Sequence, residues 1–146
     1  MRNSSSLLFP LLIFLFFLLS PLSASPYYQD GVLIHLSSGR KSPQKVLMAF
    51  KMATIMSENK KDVLVYCDNE AVKLLTTDAQ DIEKPDFPSL HTMLDQLLSK
   101  KIPILACPAC LKTAKIKYQN LKPGILIATP NTFFDFTKGR IVSLNY

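Results

Sequence analysis

Glycine is scarce in this chain, with four among 146 residues. No G-x-G-x-x-G or other phosphate-cradling loop can be assembled from them, so no nucleotide cofactor is expected. Histidine is scarcer still: His35 and His91 are the only two. Neither stands at ligand spacing from a cysteine, and no Ser/His/Asp arrangement can be placed. Cysteine is limited to Cys67, Cys107 and Cys110. A disulfide-built scaffold needs more of them in a shorter chain. An odd number leaves one thiol unpaired, or paired between chains, in any exported form. None of the three lies in the first 25 residues, which excludes a lipoprotein. No internal repeat or low-complexity segment follows the leader.

The start of the chain is rich in what the rest lacks. Met1 to Ser6 is basic and free of acids, Leu7 to Leu19 is almost wholly apolar, and Ser20 to Ser25 supplies small residues and a proline. That is the layout of a secretory signal peptide, expected over residues 1–25. The apolar stretch is shorter than the roughly 18 residues of a spanning helix. The mature chain is therefore expected to be exported, periplasmic or secreted, without a stable membrane span; an uncleaved anchor is the alternative. What remains is one domain. The net charge of +6 falls by one when Arg2 leaves with the leader. Lys60-Lys61 and Lys100-Lys101 each close an expected helix, where cations suit the dipole. The basic balance thus does not imply a nucleic-acid partner.

Apolar runs at Val32–Leu36, Asp62–Cys67, Ile102–Ala106 and Gly124–Ala128 are expected strands, and Arg140–Leu144 a last one. Between them the spacing predicts helices. The first spans residues 43–58, with Ser42 as N-cap, Pro43 leading, and Val46, Ala49, Phe50, Ala53 and Met56 on one face. A short one runs from Asp68 to about Thr77, and another follows Ser89 with Leu90, Met93, Leu94, Leu97 and Leu98 apolar. A helix-like run covers Leu111–Ile116, and a short Phe-rich helix 131–137. Strands alternating with helices predict a three-layer α/β/α sandwich with a mostly parallel sheet. In such a sheet all strand C-termini share one edge, where ligands usually bind. Cys67 ends strand two and Cys107 follows strand three, so all three cysteines should lie on that edge.

Cys107-Pro108-Ala109-Cys110 is the most telling stretch. A C-x-x-C pair at a strand-to-helix junction is where backbone N–H groups and the dipole stabilise a thiolate. Lys112 and Lys115 are expected to add positive charge in the first turns. Cys107 is the candidate nucleophile and Cys110 its partner, able to close a disulfide with it. Cys67 reads as a packed thiol, or else as a third sulfur for a soft metal such as copper(I) or zinc. His35 reads as a hydrogen-bonded core histidine and His91 as a surface one. Asp68 and Glu70 read as an N-cap and a first-turn acid rather than a catalytic pair.

Over roughly residues 31–146 the chain resembles the DsrE/DsrF-like family. The carrying stretches are Val46–Ala53, Val63–Asp68 with Val72–Leu75, Cys107–Lys112, and Ile127–Pro130 through Phe133-Phe134 to the last strand. The resemblance implies a five-stranded sheet, a tendency to form homo-oligomers, and, in some members, sulfur carried as a cysteine persulfide in relays. Cys107 matches the family's active cysteine, and Cys110 a second cysteine present in part of it. The partners implied are sulfur donor and acceptor proteins or small thiols. The resemblance also implies strand one between strands two and three, which would hold Cys67 and Cys107 beyond disulfide reach. The expected function is a persulfide carrier working through Cys107. The alternatives are a thiol–disulfide redox protein using Cys107 and Cys110, and an oligomer binding a soft metal. Thioredoxin topology is disfavoured, since its C-x-x-C follows the first strand of the core motif. Three aromatics in Phe133-Phe134-Asp135-Phe136 exceed what one short helix face buries, so part of that cluster is expected at a subunit contact.

Overall fold

The computed structural model describes residues 28–146. The expected signal peptide at residues 1–25 lies outside the described residues. Five strands form one sheet: β1 (Gly31–Leu36), β2 (Asp62–Cys67), β3 (Ile104–Ala106), β4 (Leu126–Ile127) and β5 (Ile141–Asn145). Every pairing is parallel, in the order β4-β3-β2-β1-β5. The helices are α1 (Pro43–Glu58), α2 (Leu90–Ser99), α3 (Pro108–Thr113) and α4 (Pro130–Phe134), with 3-10 helices at Asn69–Leu75 and Tyr118–Asn120.

Handedness turns this order into layers. From β1 through β4 the chain steps in one direction, so right-handed crossovers stack α1, α2 and α3 on one face. The last crossover returns across the whole sheet to reach β5, which places α4 on the opposite face. Burial agrees with this division. Val32, Ile34, Leu36, Val63, Val65, Cys67, Ile104 and Ala106 alternate along their strands toward the helical layer and join one core. That core is completed by Val46, Leu47, Ala49, Phe50 and Ala53 of α1 and by Leu90, Met93, Leu94 and Leu97 of α2. The other face is covered more thinly. Phe133 meets the Tyr66 ring edge-on, with centroids 5.0 Å apart. Gly31 lies so close under Phe136 and Thr137 that an added Cβ would fall 2.4 Å from the Thr137 methyl.

Several expectations change in detail. Strands two and three are neighbours, with Cys67 in register with Ala106, so strand one does not separate them. The reason is the direction of travel: each crossover after β1 adds the next strand on the same side. The fourth strand shrinks to two residues because a turn precedes it. Ile125 N–H bonds back to the Lys122 carbonyl, and Gly124 takes φ 94°. Ser42 precedes α1, but its side chain makes no cap, whereas the Ser89 hydroxyl accepts from the Thr92 N–H at 3.3 Å. Lys60 and Lys101 sit just beyond helix ends in the left-handed region, and Lys100 bridges to Glu58 at 3.1 Å across the ends of α2 and α1. Among the described residues no helix is long and apolar enough to cross a membrane.

Candidate functional site at the sheet edge

The cysteines gather at the C-terminal edge, as parallel pairing requires. Cys107 follows β3 and is the N-cap residue of α3. Its backbone N–H donates to the Cys67 carbonyl at 3.0 Å, which extends the β2–β3 ladder by one bond and fixes where the chain turns. Its sulfur accepts from the Cys110 N–H at 3.4 Å. Pro108 at the first helical position gives up no useful donor, since that N–H would be unpaired in any residue.

The electrostatics separate the pair. Burial works to raise the Cys107 thiol. Hydrogen bonds from the Cys110 thiol and N–H, the Tyr66 hydroxyl and the Ala109 N–H outweigh it, so Cys107 ionises below the ordinary thiol range. The same contact with Cys107, reinforced by burial, pushes Cys110 up. Tyr66 is also raised, first by burial and then by its contact with Cys107, and so stays a neutral donor. The lysines expected to help do not. α3 ends at Thr113, which puts Lys112 in its last turn and Lys115 beyond it at φ 56°.

Tyr66 is the residue that sequence reasoning missed. Strand alternation was the available signal: with Cys67 turned into the core, Tyr66 must face the other side. Its ring is held between His35, stacked at 5.4 Å, and Phe133. His35 is hydrogen-bonded as expected but is not sealed in the core, its side chain being 31% exposed. Its Nε2 meets Asp68 Oδ2 at 2.9 Å and the Ser37 hydroxyl at 3.2 Å, while Nδ1 meets Asn145 Oδ1 at 3.1 Å. Serine, histidine and aspartate therefore do come together, but hydroxyl and carboxylate share one ring nitrogen. A nucleophilic triad needs them on opposite nitrogens. Asp68 stands at the N-cap position without capping. Its carboxylate turns to His35 and accepts from Asn69 Nδ2 at 3.2 Å. Glu70 instead grips Lys73 at 2.7 Å.

Cys67 is fully buried, and burial raises its thiol, with Asp68 adding to the effect. All three cysteines are free. Among the described residues no group of three or more His, Cys, Asp or Glu side chains is placed to hold a metal ion. The three-sulfur metal reading therefore has no geometry behind it. His91 stands near the start of α2 with its ring 3.8 Å from the Asp81 carboxylate, and among the described residues no hydrogen bond or ion pair ties it to a cysteine.

Comparison with known proteins adds to this picture. The family model described as DsrE/DsrF-like family matches residues 30–138. The uncharacterized protein MJ0760 of Methanocaldococcus jannaschii is 26% identical over 108 residues, 73% of this chain, and the match spans only 39% of that protein's length. Among solved structures, the ychN protein from E. coli is similar with a TM-score of 0.62 at 15% identity, covering 82% of this chain and 100% of that one. The protein of unknown function MTH1491 from Methanobacterium thermoautotrophicum gives 0.56 at 12% identity, covering 80% and 99%. These two structures share the fold, a five-stranded parallel sheet with flanking helices. With the family model spanning most of the described residues, the chain belongs to the DsrE/DsrF-like family.

Proposed function

We propose that this protein is a sulfur carrier that holds sulfane sulfur as a persulfide on Cys107. One observation carries the reading: Cys107 stands partly exposed at the sheet edge with the Cys110 N–H, the Ala109 N–H and the Tyr66 hydroxyl around its sulfur. Such donors stabilise a thiolate, the form that attacks sulfur. In loading, the Cys107 thiolate attacks the outer sulfur of a donor persulfide, R–S–SH. A new S–S bond forms, and the donor leaves as R–S⁻. In unloading, an acceptor thiolate takes that outer sulfur and Cys107 departs as thiolate. Nothing is oxidised or reduced overall. The donors that stabilise the free thiolate also stabilise it as a leaving group, so one arrangement serves both directions. Sulfur-relay chemistry is what membership of the family suggests, with donor and acceptor proteins or small thiols as partners.

A second reading rests on the contact between the Cys107 and Cys110 thiols. A pair with one lowered and one raised thiol suits thiol–disulfide exchange. Mass spectrometry of the reduced protein after exposure to a small-molecule persulfide separates the readings. A gain of one sulfur atom on the Cys107 peptide, absent in Cys107→Ser, supports the carrier. A loss of two hydrogens in the wild type, together with no sulfur bound in Cys110→Ser, where no internal disulfide can displace it, supports the redox protein and removes the carrier.

A further inference from the structure

The two sulfurs of the pair are approached from different sides. Cys107 lies toward Tyr66. Cys110 lines a cleft of about 310 Å³ with Asn69, Glu70, Lys73, Ala109 and Thr113. Glu70 and Lys73 also line a second cleft of about 490 Å³, walled by Gly39, Arg40, Lys41 and Gln80. The two are lobes about one ion pair, and each has a size within the roughly 300–1,000 Å³ common for small-molecule sites. The loop after β1 builds the far lobe by close approach: a Cβ on Gly39 would lie 2.8 Å from the Glu70 Cβ. That approach brings Arg40 and Lys41 beside Lys73. Arg40 is held by Nη1 bonds to the Gln80 and Asp81 carbonyls, both at 2.8 Å, which fixes its position without neutralising its charge. Glu70 is the one acid in either lining, and its oxygens take the Lys73 ammonium at 2.7 and 2.8 Å. The far lobe is therefore cationic, and the near lobe ends on a sulfur.

We infer that this two-lobed cleft binds a small carboxylate-bearing thiol, its carboxylate toward Arg40 and Lys41 and its sulfur against Cys110, and that the thiol reopens a Cys107–Cys110 disulfide. The inference rests on the carrier reading for the origin of that disulfide. When Cys110 attacks the inner sulfur of the Cys107 persulfide, a Cys107–Cys110 bond forms, the S–SH bond breaks, and the outer sulfur leaves as hydrogen sulfide with the Cys110 proton. The docked thiolate then attacks the Cys110 sulfur, forms a mixed disulfide there, and expels Cys107 as thiolate. A second thiol attacks the mixed disulfide, releasing a small-molecule disulfide and reduced Cys110. Two thiols are oxidised for each protein disulfide reduced. Attack at Cys110 is also the chemically favoured direction, because the more acidic Cys107 is the better leaving group.

The test starts from full-length protein oxidised with diamide. Reduction is followed with 3-mercaptopropionate, glutathione and neutral 2-mercaptoethanol, compared at equal thiolate concentration. The two carboxylate thiols are expected to be faster by about tenfold at low ionic strength, with the advantage shrinking in salt. Glutathione and 3-mercaptopropionate together distinguish a ligand that also offers an ammonium to Glu70 from one held by its carboxylate alone. Lys41→Glu combined with Lys73→Glu, both surface changes, should abolish the preference. In Cys107→Ser, glutathione disulfide should form its adduct on Cys110. Equal rates for charged and neutral thiols, an unchanged preference in the double variant, or no disulfide after diamide would each overturn the inference. Sulfur loading is scored separately: a protein that loads no sulfur but keeps the thiol preference leaves the cleft standing and removes only the carrier.

Discussion

The Cys107 N–H donates to the Cys67 carbonyl at 3.0 Å, so the most buried cysteine and the one whose thiol is lowered share one backbone hydrogen bond. Their side chains nonetheless live in different environments. Cys67 is fully enclosed in the core and its thiol is pushed up by burial, whereas Cys107 is partly exposed and its thiol is pulled down. Cys67 should therefore resist alkylation in the native protein and react only on unfolding. Cys67→Ser should leave sulfur loading intact while costing about 1–3 kcal/mol, as an underbonded hydroxyl replaces a packed thiol. Peptide mapping after native alkylation and a denaturant melt check both; native labelling of Cys67 would show that the core is open.

Tyr66→Phe keeps the ring that His35 and Phe133 hold but removes the hydroxyl beside Cys107. The hydroxyl lowers the Cys107 thiol, so its loss raises it. The thiolate should then appear at higher pH, and alkylation of Cys107 near pH 6 should slow several-fold. The pH–rate profile should move to higher pH. A profile that matches wild type would take Tyr66 out of the site.

Cys110→Ser removes the resolving thiol and one hydrogen-bonding partner of Cys107. Sulfur should still load on Cys107, more slowly at low pH, and the loaded form should persist longer because no internal disulfide can displace it. Timed mass spectrometry of the loaded protein reads the difference. Cys107→Ser should not load at all.

Phe133 and Phe136 turn toward the sheet, but Phe134 is left 65% exposed, and the edge strand β5 leaves Ile141 and Val142 at 44% and 55%. We propose that these apolar surfaces meet a second copy of the chain. Light scattering at micromolar concentration is expected to give an oligomer, and Phe134→Glu to weaken it. A monomer mass for the unaltered protein would end this proposal.

The apolar run Leu7–Leu19 with its basic start motivates a proposal of export. N-terminal sequencing of protein from its native source should begin near Ser25. A soluble cytoplasmic product that retains Met1 would contradict it.

Local pattern determined much of this protein. Apolar runs bounded by polar loops located every strand, and helical spacing located α1 and α2, because burial of a period-2 or period-3.6 face is a local property of sequence. The C-x-x-C turn marked Cys107 and Cys110 for the same reason: the junction of strand and helix is written in adjacent residues. Parallel pairing then put Cys67 and Cys107 on one edge. What tertiary structure decided depended on contacts between distant segments. Strand order was one case, since nothing in β2 or β3 alone says which strand lies between them, and the expected order was wrong. Tyr66 was another. It gains its role only because β2 lies beside β3, because α4 returns on the far face to bring Phe133 against it, and because β1 supplies His35. Asp68 read as a cap from its neighbours, yet its carboxylate went to the ring nitrogen of a histidine 33 residues away, at 2.9 Å, rather than to a local N–H. Sequence carries the periodicity that builds the layers; the site depends on which layers meet, and long-range packing sets that.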